Sequence, residues 1–238
     1  AVDRGGDVAH IRGRKLTQET GPYTYDLTTS TKFALVDISS TISSGDFKFG
    51  GAATASNGKI IFAPYNADGV GVFDPSDNSF ALVDIASTIS TDWKFHGAAA
   101  AGNGKVIFAP YKANGVGVFD PSDNSFVLVD IASTISTDNK FQAAAIAGNG
   151  KVIFAPYKAN GVGVFDPSDN SFVLVDIAST ITTDAKFGAA ATAGNGKVIF
   201  VPSAANGLGI FEVTNFACDA STAPTNGGLG NCTDTLEI

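Results

Sequence analysis

The sequence predicts an all-β protein of the β-propeller class, with four blades of four antiparallel strands. The string Phe-x-Leu-Val-Asp-Ile recurs at Phe33, Phe80, Phe126 and Phe172. Its spacings are 47, 46 and 46 residues, and a second string, Lys-Phe followed by Ala-Ala, keeps the same period. Short apolar runs bounded by turn residues fill each unit. Radially repeated four-stranded units of this length are typical of propellers.

Each repeat divides into four short strands, as the second repeat shows. Its first strand is made of Gly and Ala, and Asn103-Gly104 then predicts a tight hairpin. Pro110 ends the next strand because proline cannot donate a ladder hydrogen bond. The predicted strands span residues 97–101, 105–109, 116–120 and 126–131.

The second and fourth strands of each repeat are apolar on both faces, whereas strands of a sandwich alternate apolar and polar residues. Sheets that pack against a neighbouring sheet on each side explain this pattern. A solenoid also buries both faces of its strands, but its units are usually shorter. Antiparallel hairpins joined by tight turns suit the blades of a propeller better.

The strand count predicts how the ring closes. The chain begins with the last strand of a blade at residues 33–38 and ends with the first three strands of another blade. We expect segment 33–38 to complete the fourth blade, which would remove free sheet edges. Residues 21–26 form a weaker, surplus copy of the third strand. A five-bladed ring, in which residues 8–38 and the C-terminal tail complete two partial sheets, is the alternative.

The amino-acid sequence of the repeat resembles that of known tandem-repeat proteins. Asn-Gly-Lys before a hydrophobic strand, followed by Val-Phe-Asp-Pro, resembles Kelch-type propeller repeats. The Gly-Gly doublet of that family appears among the four units only at Gly50-Gly51, and Phe replaces its Trp. The repeat also resembles tandem repeats in large surface or secreted proteins of unicellular algae, over about residues 21–236. These resemblances imply a propeller fold and assign no activity.

Composition limits the classes of partner. Hydrophobic residues make up 44% and charged residues 16% of the chain, which argues against disorder. The formal net charge of −8 repels phosphate backbones and anionic lipid, so we expect no nucleic-acid partner and no membrane insertion. We divide the chain into an N-terminal extension (1–20), a propeller (21–213) and a C-terminal tail (214–238).

The tail suggests an extracellular or cell-surface location. Cys218 and Cys232 flank a Gly/Pro/Ser/Thr-rich stretch and are expected to form a disulfide, although two free cysteines are the alternative. Asn231 begins an N-glycosylation sequon. The sequence has no initiator Met and no apolar signal segment at Ala1, so we expect a processed product or an excised segment.

The positions at which the repeats differ are the candidate ligand-binding residues. They cluster between the fourth strand of one unit and the first strand of the next, at one mouth of the expected ring: Phe47, Trp93, His96, Asn139 and Gln142. An aromatic ring beside hydrogen-bonding groups is a common arrangement for holding a sugar or a peptide. The alternative is that the rings of Phe47 and Trp93 only cover gaps between blades.

Recurring acidic residues have simpler interpretations. Asp46, Asp92, Asp138 and Asp184, each two residues before a Lys, are expected to form exposed ion pairs that stabilise little. Asp74-Pro75-Ser76-Asp77-Asn78 and its copies predict self-capping turns, because the bidentate Glu of a calcium loop is absent. Small residues of the first strands would line the axis, where main-chain carbonyls could hold a cation such as Ca²⁺; we otherwise expect no cofactor.

The sequence favours a non-enzymatic protein. Motifs of serine hydrolases, zinc proteases and phosphate-binding loops are missing, and the two histidines, His10 and His96, cannot serve every blade. We expect a propeller that binds a glycan or a protein. An architectural subunit of a larger multi-chain assembly and a propeller hydrolase with two paired carboxylates are the alternatives.

Overall fold

The protein is all-β in the part that the structure, a computed structural model, describes: residues 9–11, 14–16, 33–42 and 45–213. The chain divides into two compact units, Ala1–Val36 and Asp37–Ile238. Within the described ranges, no helix has the length and apolar character needed to cross a membrane. The weaker copy at 21–26, Cys218, Cys232 and Asn231 lie outside these ranges.

The strands pair antiparallel, and in the second unit they form four sheets, which we call blades one to four. In the first unit β1 (Ala9–Ile11) pairs with β2 (Arg14–Leu16). Blade one contains β3 (Phe49–Thr54), β4 (Ile60–Pro64), β5 (Gly69–Asp74) and β6 (Ser79–Asp84). Blade two contains β7 (Phe95–Ala100), β8 (Val106–Pro110), β9 (Gly115–Asp120) and β10 (Ser125–Asp130). Blade three contains β11 (Phe141–Ile146), β12 (Val152–Pro156), β13 (Gly161–Asp166) and β14 (Ser171–Asp176). Among the described residues, blade four contains β15 (Phe187–Thr192), β16 (Val198–Pro202) and β17 (Gly209–Phe211).

A three-residue loop joins the first two strands of each blade, as predicted from Asn-Gly. In blade two the Gly104 N–H donates to the Ala101 carbonyl oxygen (3.0 Å), and the Ala101 N–H donates to the Lys105 carbonyl oxygen (2.8 Å). Gly104 has a φ of 87°, the left-handed conformation that ends a type I turn with a bulge. Asn103 Oδ1 accepts from the Lys105 N–H at 3.1 Å. The predicted hairpin is therefore confirmed, and glycine supplies its positive φ.

Aspartates at strand ends cap the turns that follow them. Asp120 Oδ1 accepts from the main-chain N–H (2.9 Å) and the hydroxyl (2.6 Å) of Ser122. The Ser122 hydroxyl, followed by its N–H, lowers the pKa of the Asp120 carboxyl because both bonds favour the charged form. Asp130 Oδ1 accepts from the Ala132 N–H at 2.8 Å. These contacts agree with the interpretation of self-capping turns.

Each blade has two different apolar faces. In blade two the aromatic face comprises Phe95, Val106, Phe108, Phe119, Phe126 and Leu128. The opposite, aliphatic face comprises Ala99, Ile107, Ala109, Val116, Val118 and Ile131. At each of three successive junctions the aromatic face of a blade packs against the aliphatic face of the blade before it. Both faces of a blade are apolar because a neighbouring sheet covers each of them.

The first strands of neighbouring blades lie side by side, in the order β3, β7, β11 and β15. Their backbones approach closely: a Cβ added to Gly97 in β7 would lie 2.7 Å from the Cα of Ala143 in β11. A larger side chain at this position would force the two blades apart. The Gly and Ala content of these strands therefore follows from blade-to-blade packing.

A buried lysine joins each blade to the one before it. The side chains of Lys94, Lys140 and Lys186 have no solvent exposure. Lys94 Nζ donates to the Ala67 carbonyl oxygen at 3.2 Å, and the Lys94 main-chain N–H donates to the Tyr65 carbonyl oxygen at 2.9 Å. Lys140 repeats the side-chain contact one blade later. The Nζ atoms of Lys94 and Lys140 therefore bind main-chain carbonyls of the preceding blade. Lys186 Nζ is buried without a hydrogen-bond partner among the described residues, and Lys186 bonds to the preceding blade through its main-chain N–H, which donates to the Tyr157 carbonyl oxygen at 2.9 Å.

The expectation of exposed Asp–Lys pairs at these positions was wrong. Burial lowers the pKa of the Lys94 ammonium, and the carboxylates of Asp68 and Asp92 oppose that effect only in part. Among the described residues, the ion pair that joins two blades is formed by a different lysine: Lys158 Nζ of blade three lies 3.9 Å from Asp184 Oδ2. The carbonyl acceptors come from the previous blade, so sequence spacing gave no sign of them.

The predicted closure of the ring is not seen. Residues 33–38 are assigned to no strand, and the sheet of blade four ends at β17 in the described residues. The aliphatic face of blade four remains open to solvent at Leu208 and Ile210. The described blades therefore form an open row, and the apolar faces at its two ends are less covered than those at the internal junctions.

Candidate ligand-binding site

The loop before the first strand of each blade contains a residue in the left-handed conformation. Its φ lies between 53° and 59° at Phe47, Trp93, Asn139 and Ala185. Such a φ is unusual for residues other than Gly, Asn and Asp, so the surrounding contacts must hold it. The Trp93 N–H donates to Asn66 Oδ1 (3.2 Å), and the Trp93 carbonyl accepts from the Lys112 N–H (2.9 Å).

Aromatic rings from three blades meet beside this loop. We call this set the aromatic cluster: Phe47, Tyr65, Trp93, His96, Tyr111 and Tyr157. Tyr65 lies at its centre and stacks on Trp93, with centroids 5.9 Å apart and ring planes at 17°. Tyr65 also meets His96 edge to face, at 5.6 Å and 87°. Tyr111 contacts both Tyr65 (5.8 Å) and Tyr157 (5.9 Å).

The cluster has a buried base and an exposed rim. Tyr111 is only 7% exposed and anchors the base, whereas Phe47 is 74% and Trp93 41% exposed. Burial, followed by the neighbouring Tyr65 and Tyr157, raises the pKa of Tyr111 to about 12, so its hydroxyl stays protonated at neutral pH. Phe47 and Trp93 at the rim are therefore partly exposed, and aromatic neighbours contact both of them.

A cation covers part of the Trp93 ring. Lys112 Nζ lies 4.3 Å from the ring centroid, within the range of a cation–π interaction. Lys112 also fixes the Trp93 loop through its main-chain N–H, so its backbone and side chain both hold the same residue. The indole is thus restrained before any ligand arrives.

Polar groups with unused hydrogen-bonding capacity lie beside the rings. Gln142 Nε2 lies 3.4 Å from His96 Nε2, which links blade three to blade two. Gln142 Oε1 and Asn139 Oδ1 are buried and have no partner within the described residues. Buried polar atoms are normally paired, so a donor placed beside either of these two acceptors would be stabilising. Burial lowers the pKa of His96, which keeps the imidazole neutral at physiological pH.

The structure brings most of the predicted site residues together. Phe47, Trp93 and His96 each contact Tyr65, with Phe47 at 6.4 Å. Gln142 joins the group through His96. Asn139 lies at the position that Trp93 occupies in the preceding repeat, and among the described residues its side chain makes no hydrogen bond to the cluster. Their role in recognition stays a prediction.

The tyrosines of the Ala-Pro-Tyr strings were missed in the sequence. Tyr65, Tyr111 and Tyr157 follow the second strand of their blades and form the spine of the cluster. Because three repeats share them, these tyrosines are not among the positions at which the repeats differ. Blade four has Ser203 at this position, and the spine ends there.

Metal ligands do not gather in the part of the chain that the structure covers. No group of three or more His, Cys, Asp or Glu side chains there is placed to hold an ion. An axial cation held by main-chain carbonyls stays a separate, untested prediction.

Comparisons with known proteins bear on the fold. No family model and no curated protein matches the chain. Among solved structures, virginiamycin B lyase from Staphylococcus aureus aligns with a TM-score of 0.54 and 13% identity, over 73% of this chain and 58% of that chain. The extracellular domain of a hybrid two-component system from B. thetaiotaomicron aligns with a TM-score of 0.58 and 18% identity, over 79% of this chain and 24% of that chain.

The chain has a propeller-like fold. The matched proteins are built from repeated antiparallel sheets of the same kind, and the four-stranded blades described above share their arrangement. The chain spans little more than half the length of the lyase. At these identities the likeness concerns the fold alone, and the Kelch-type and algal resemblances stay predictions.

Proposed function

We propose that the chain is a non-enzymatic binding module that holds a glycan on the aromatic cluster. The observation that carries this proposal is the Trp93 ring, stacked on Tyr65 and still 41% exposed. The exposed part of a restrained ring offers apolar surface at little entropic cost to the protein, and sugars pack their C–H groups against such rings.

The polar rim supports the same ligand class. A sugar hydroxyl that donates to Gln142 Oε1 would satisfy a buried acceptor that has no partner in the described residues. His96, kept neutral by burial, offers one further donor or acceptor beside it. Aromatic rings below a sugar and the polar side chains of His96 and Gln142 beside it would together hold a small ligand.

Peptide or protein recognition is the nearest competing version of this proposal. Exposed Trp and Tyr also serve as anchors in protein interfaces. The architectural alternative is favoured by a different observation, the partly exposed apolar faces at the two ends of the row of blades. The hydrolase alternative is not favoured, because the cluster brings rings and amides together and contains no carboxylate.

The remaining expectations belong to this proposal. An extracellular location, the Cys218–Cys232 disulfide and glycosylation at Asn231 rest on the tail sequence. Completion of blade four by a strand with the sequence of residues 33–38 rests on the repeat.

A glycan array probed with the labelled protein tests the proposal. The wild type is expected to bind a restricted set of glycans, and Trp93→Ala to weaken that binding at least about tenfold, equivalent to about 1.4 kcal/mol. Trp93→Phe, which keeps a ring, should retain part of the affinity. Val127→Ala, at an exposed valine on β10, serves as the matched control. Unchanged binding by Trp93→Ala would rule out the glycan version.

A further inference from the structure

The two ends of the row of blades expose the faces that every internal junction buries. On blade one the aromatic face is only partly covered: Phe49 and Phe62 are half-buried, whereas Phe108, the counterpart of Phe62, is fully buried. On blade four the aliphatic face is open, with Leu208 67% and Ile210 66% exposed. The molecule therefore presents both halves of one interface, at opposite ends of the row.

We propose that the aliphatic face of blade four binds the aromatic face of blade one in a second copy of this chain, head to tail. The same pair of faces already packs at three junctions within the chain. Because the repeats are nearly identical in sequence, the fit between copies continues an interface that the structure itself contains. Such a heterologous contact gives a closed ring if the rotation closes and a filament if it does not.

Differences between blade four and the earlier repeats also favour an apolar contact at its aliphatic face. Val201 stands where blades two and three have Ala109 and Ala155, and it is 47% exposed. Leu208 and Ile210 likewise replace smaller valines of the earlier repeats. A face that meets only water would be expected to acquire polar residues, whereas this face has gained apolar volume. Contiguous exposed apolar residues mark interaction surfaces.

The contacts of the buried lysines with the preceding blade also favour this arrangement of the two copies. In blades two and three Lys94 and Lys140 bind the carbonyls of Ala67 and Ala113 in the blade before. Among the described residues no blade precedes Lys48, and its Nζ donates to the Gly45 carbonyl oxygen in its own loop. A cavity of about 260 Å³ lies beside Lys48, lined by Ile42 and Leu82 among others. A docked blade four would place the matching carbonyl, that of Ala205, within reach of Lys48.

Segment 33–38 gives an independent indication. Its sequence, Phe-Ala-Leu-Val-Asp-Ile, is identical to residues 80–85, which include most of β6. In blade one β6 pairs with β5, and in blade four the corresponding strand, β17, has no outer neighbour among the described residues. A strand of this sequence, supplied by a second copy, would complete the sheet at β17.

Measurement of molecular mass in solution tests this contact. We expect sedimentation equilibrium of the wild type, over a 100-fold range of concentration, to show a dimer or a larger species. Leu208→Asp should give a monomer with the circular dichroism and melting temperature of a folded protein, because Leu208 contributes little to its own blade. Val173→Asp, at an exposed valine on β14 away from both end faces, is the control and should still associate.

A mixing experiment establishes the head-to-tail arrangement. Ile60→Asp alters the aromatic face of blade one and should also abolish self-association. Mixing Ile60→Asp with Leu208→Asp leaves one intact face of each kind, so a one-to-one complex is expected. If Ile60→Asp does not fold, Phe80→Ser on the same face replaces it.

Three outcomes would overturn the proposal. The first is a wild-type monomer at all concentrations. The second is an unchanged mass for Leu208→Asp. The third is failure of the two folded variants to associate when mixed.

Discussion

Lys140 Nζ lies 3.0 Å from the main-chain carbonyl oxygen of Ala113, in the blade before its own. A lysine ammonium is seldom buried without a carboxylate, because its transfer out of water is unfavourable. Here main-chain carbonyls replace water as its acceptors, and the four-carbon stem fills the junction. The junction between blades is therefore held by a polar clamp as well as by apolar packing.

The clamp predicts unequal effects of one substitution at equivalent positions. Lys140→Ala leaves the Ala113 carbonyl without its donor and opens a cavity, and both effects are destabilising. Together they should exceed the stabilisation gained by removing a buried charge. We expect a loss of about 2–4 kcal/mol in the free energy of unfolding by urea. Lys48→Ala, which removes a partly exposed lysine that bonds within its own loop, should change it by less than about 0.5 kcal/mol. Equal losses would contradict the clamp.

The buried lysines also predict how stability changes with pH. Burial holds the pKa values of Lys94, Lys140 and Lys186 below that of the unfolded chain, about 10.4. Between the folded and unfolded values the unfolded chain binds more protons, so the free energy of unfolding rises with pH. Lys140→Met should reduce this rise in urea titrations from about pH 8 to about pH 10.

Two features define the range and the control of that experiment. Tyr111 has its pKa raised to about 12, so it acts in the opposite direction above the unfolded value of about 10 and sets the upper limit. Lys48→Met serves as the control and should keep the wild-type slope. A slope that is the same in Lys140→Met and in the wild type would refute the assignment.

The left-handed loop position predicts a stabilising change. Ala185 has a φ of 55°, which costs an alanine about 1–2 kcal/mol and a glycine nothing. Ala185→Gly should raise the free energy of unfolding by up to about 1 kcal/mol after the greater entropy of the unfolded chain is subtracted. Ala132→Gly, at a loop position outside the left-handed region, should lower it by about 0.4–1 kcal/mol. Thermal melts of the two variants should therefore shift in opposite directions.

Close packing inside a blade predicts a further difference. A Cβ on Gly117 would lie 2.9 Å from a Phe108 ring carbon and 3.0 Å from one of Phe95. Gly117→Ala should therefore reduce stability by about 1–3 kcal/mol through overpacking. Gly102→Ala, where a Cβ meets nothing within 4 Å, should have little effect in the same urea assay. A harmless Gly117→Ala would show that the rings can move aside.

Local chemistry made the blades predictable from sequence. Three predicted features depend on residues within a few positions of one another, and the structure has all of them. They are the strand end at Pro110, the Asn103-Gly104 hairpin and the Asp120 cap. Apolar residues on both strand faces predicted covered sheets for the same reason. Pattern and period thus determine the blade.

Contacts between blades could not be predicted from local sequence. The acceptor of Lys94 lies 27 residues away, and lysine is among the residues least often buried, so its burial had no local sign. Tyr65 and Trp93 are 28 positions apart, and their stacking depends on the angle between two blades. Closure likewise depends on small rotations summed over blades, which no single repeat encodes.

The fluorescence of Trp93 tests the proposed function most directly. Trp93 is the single tryptophan of the chain and lies at the rim of the aromatic cluster, so its emission reports on this site alone. Titration with glycans selected on the array should shift and saturate the emission of the wild type. Gln142→Ala should weaken the same titration. Array-positive glycans that leave the Trp93 emission unchanged would contradict binding at the aromatic cluster.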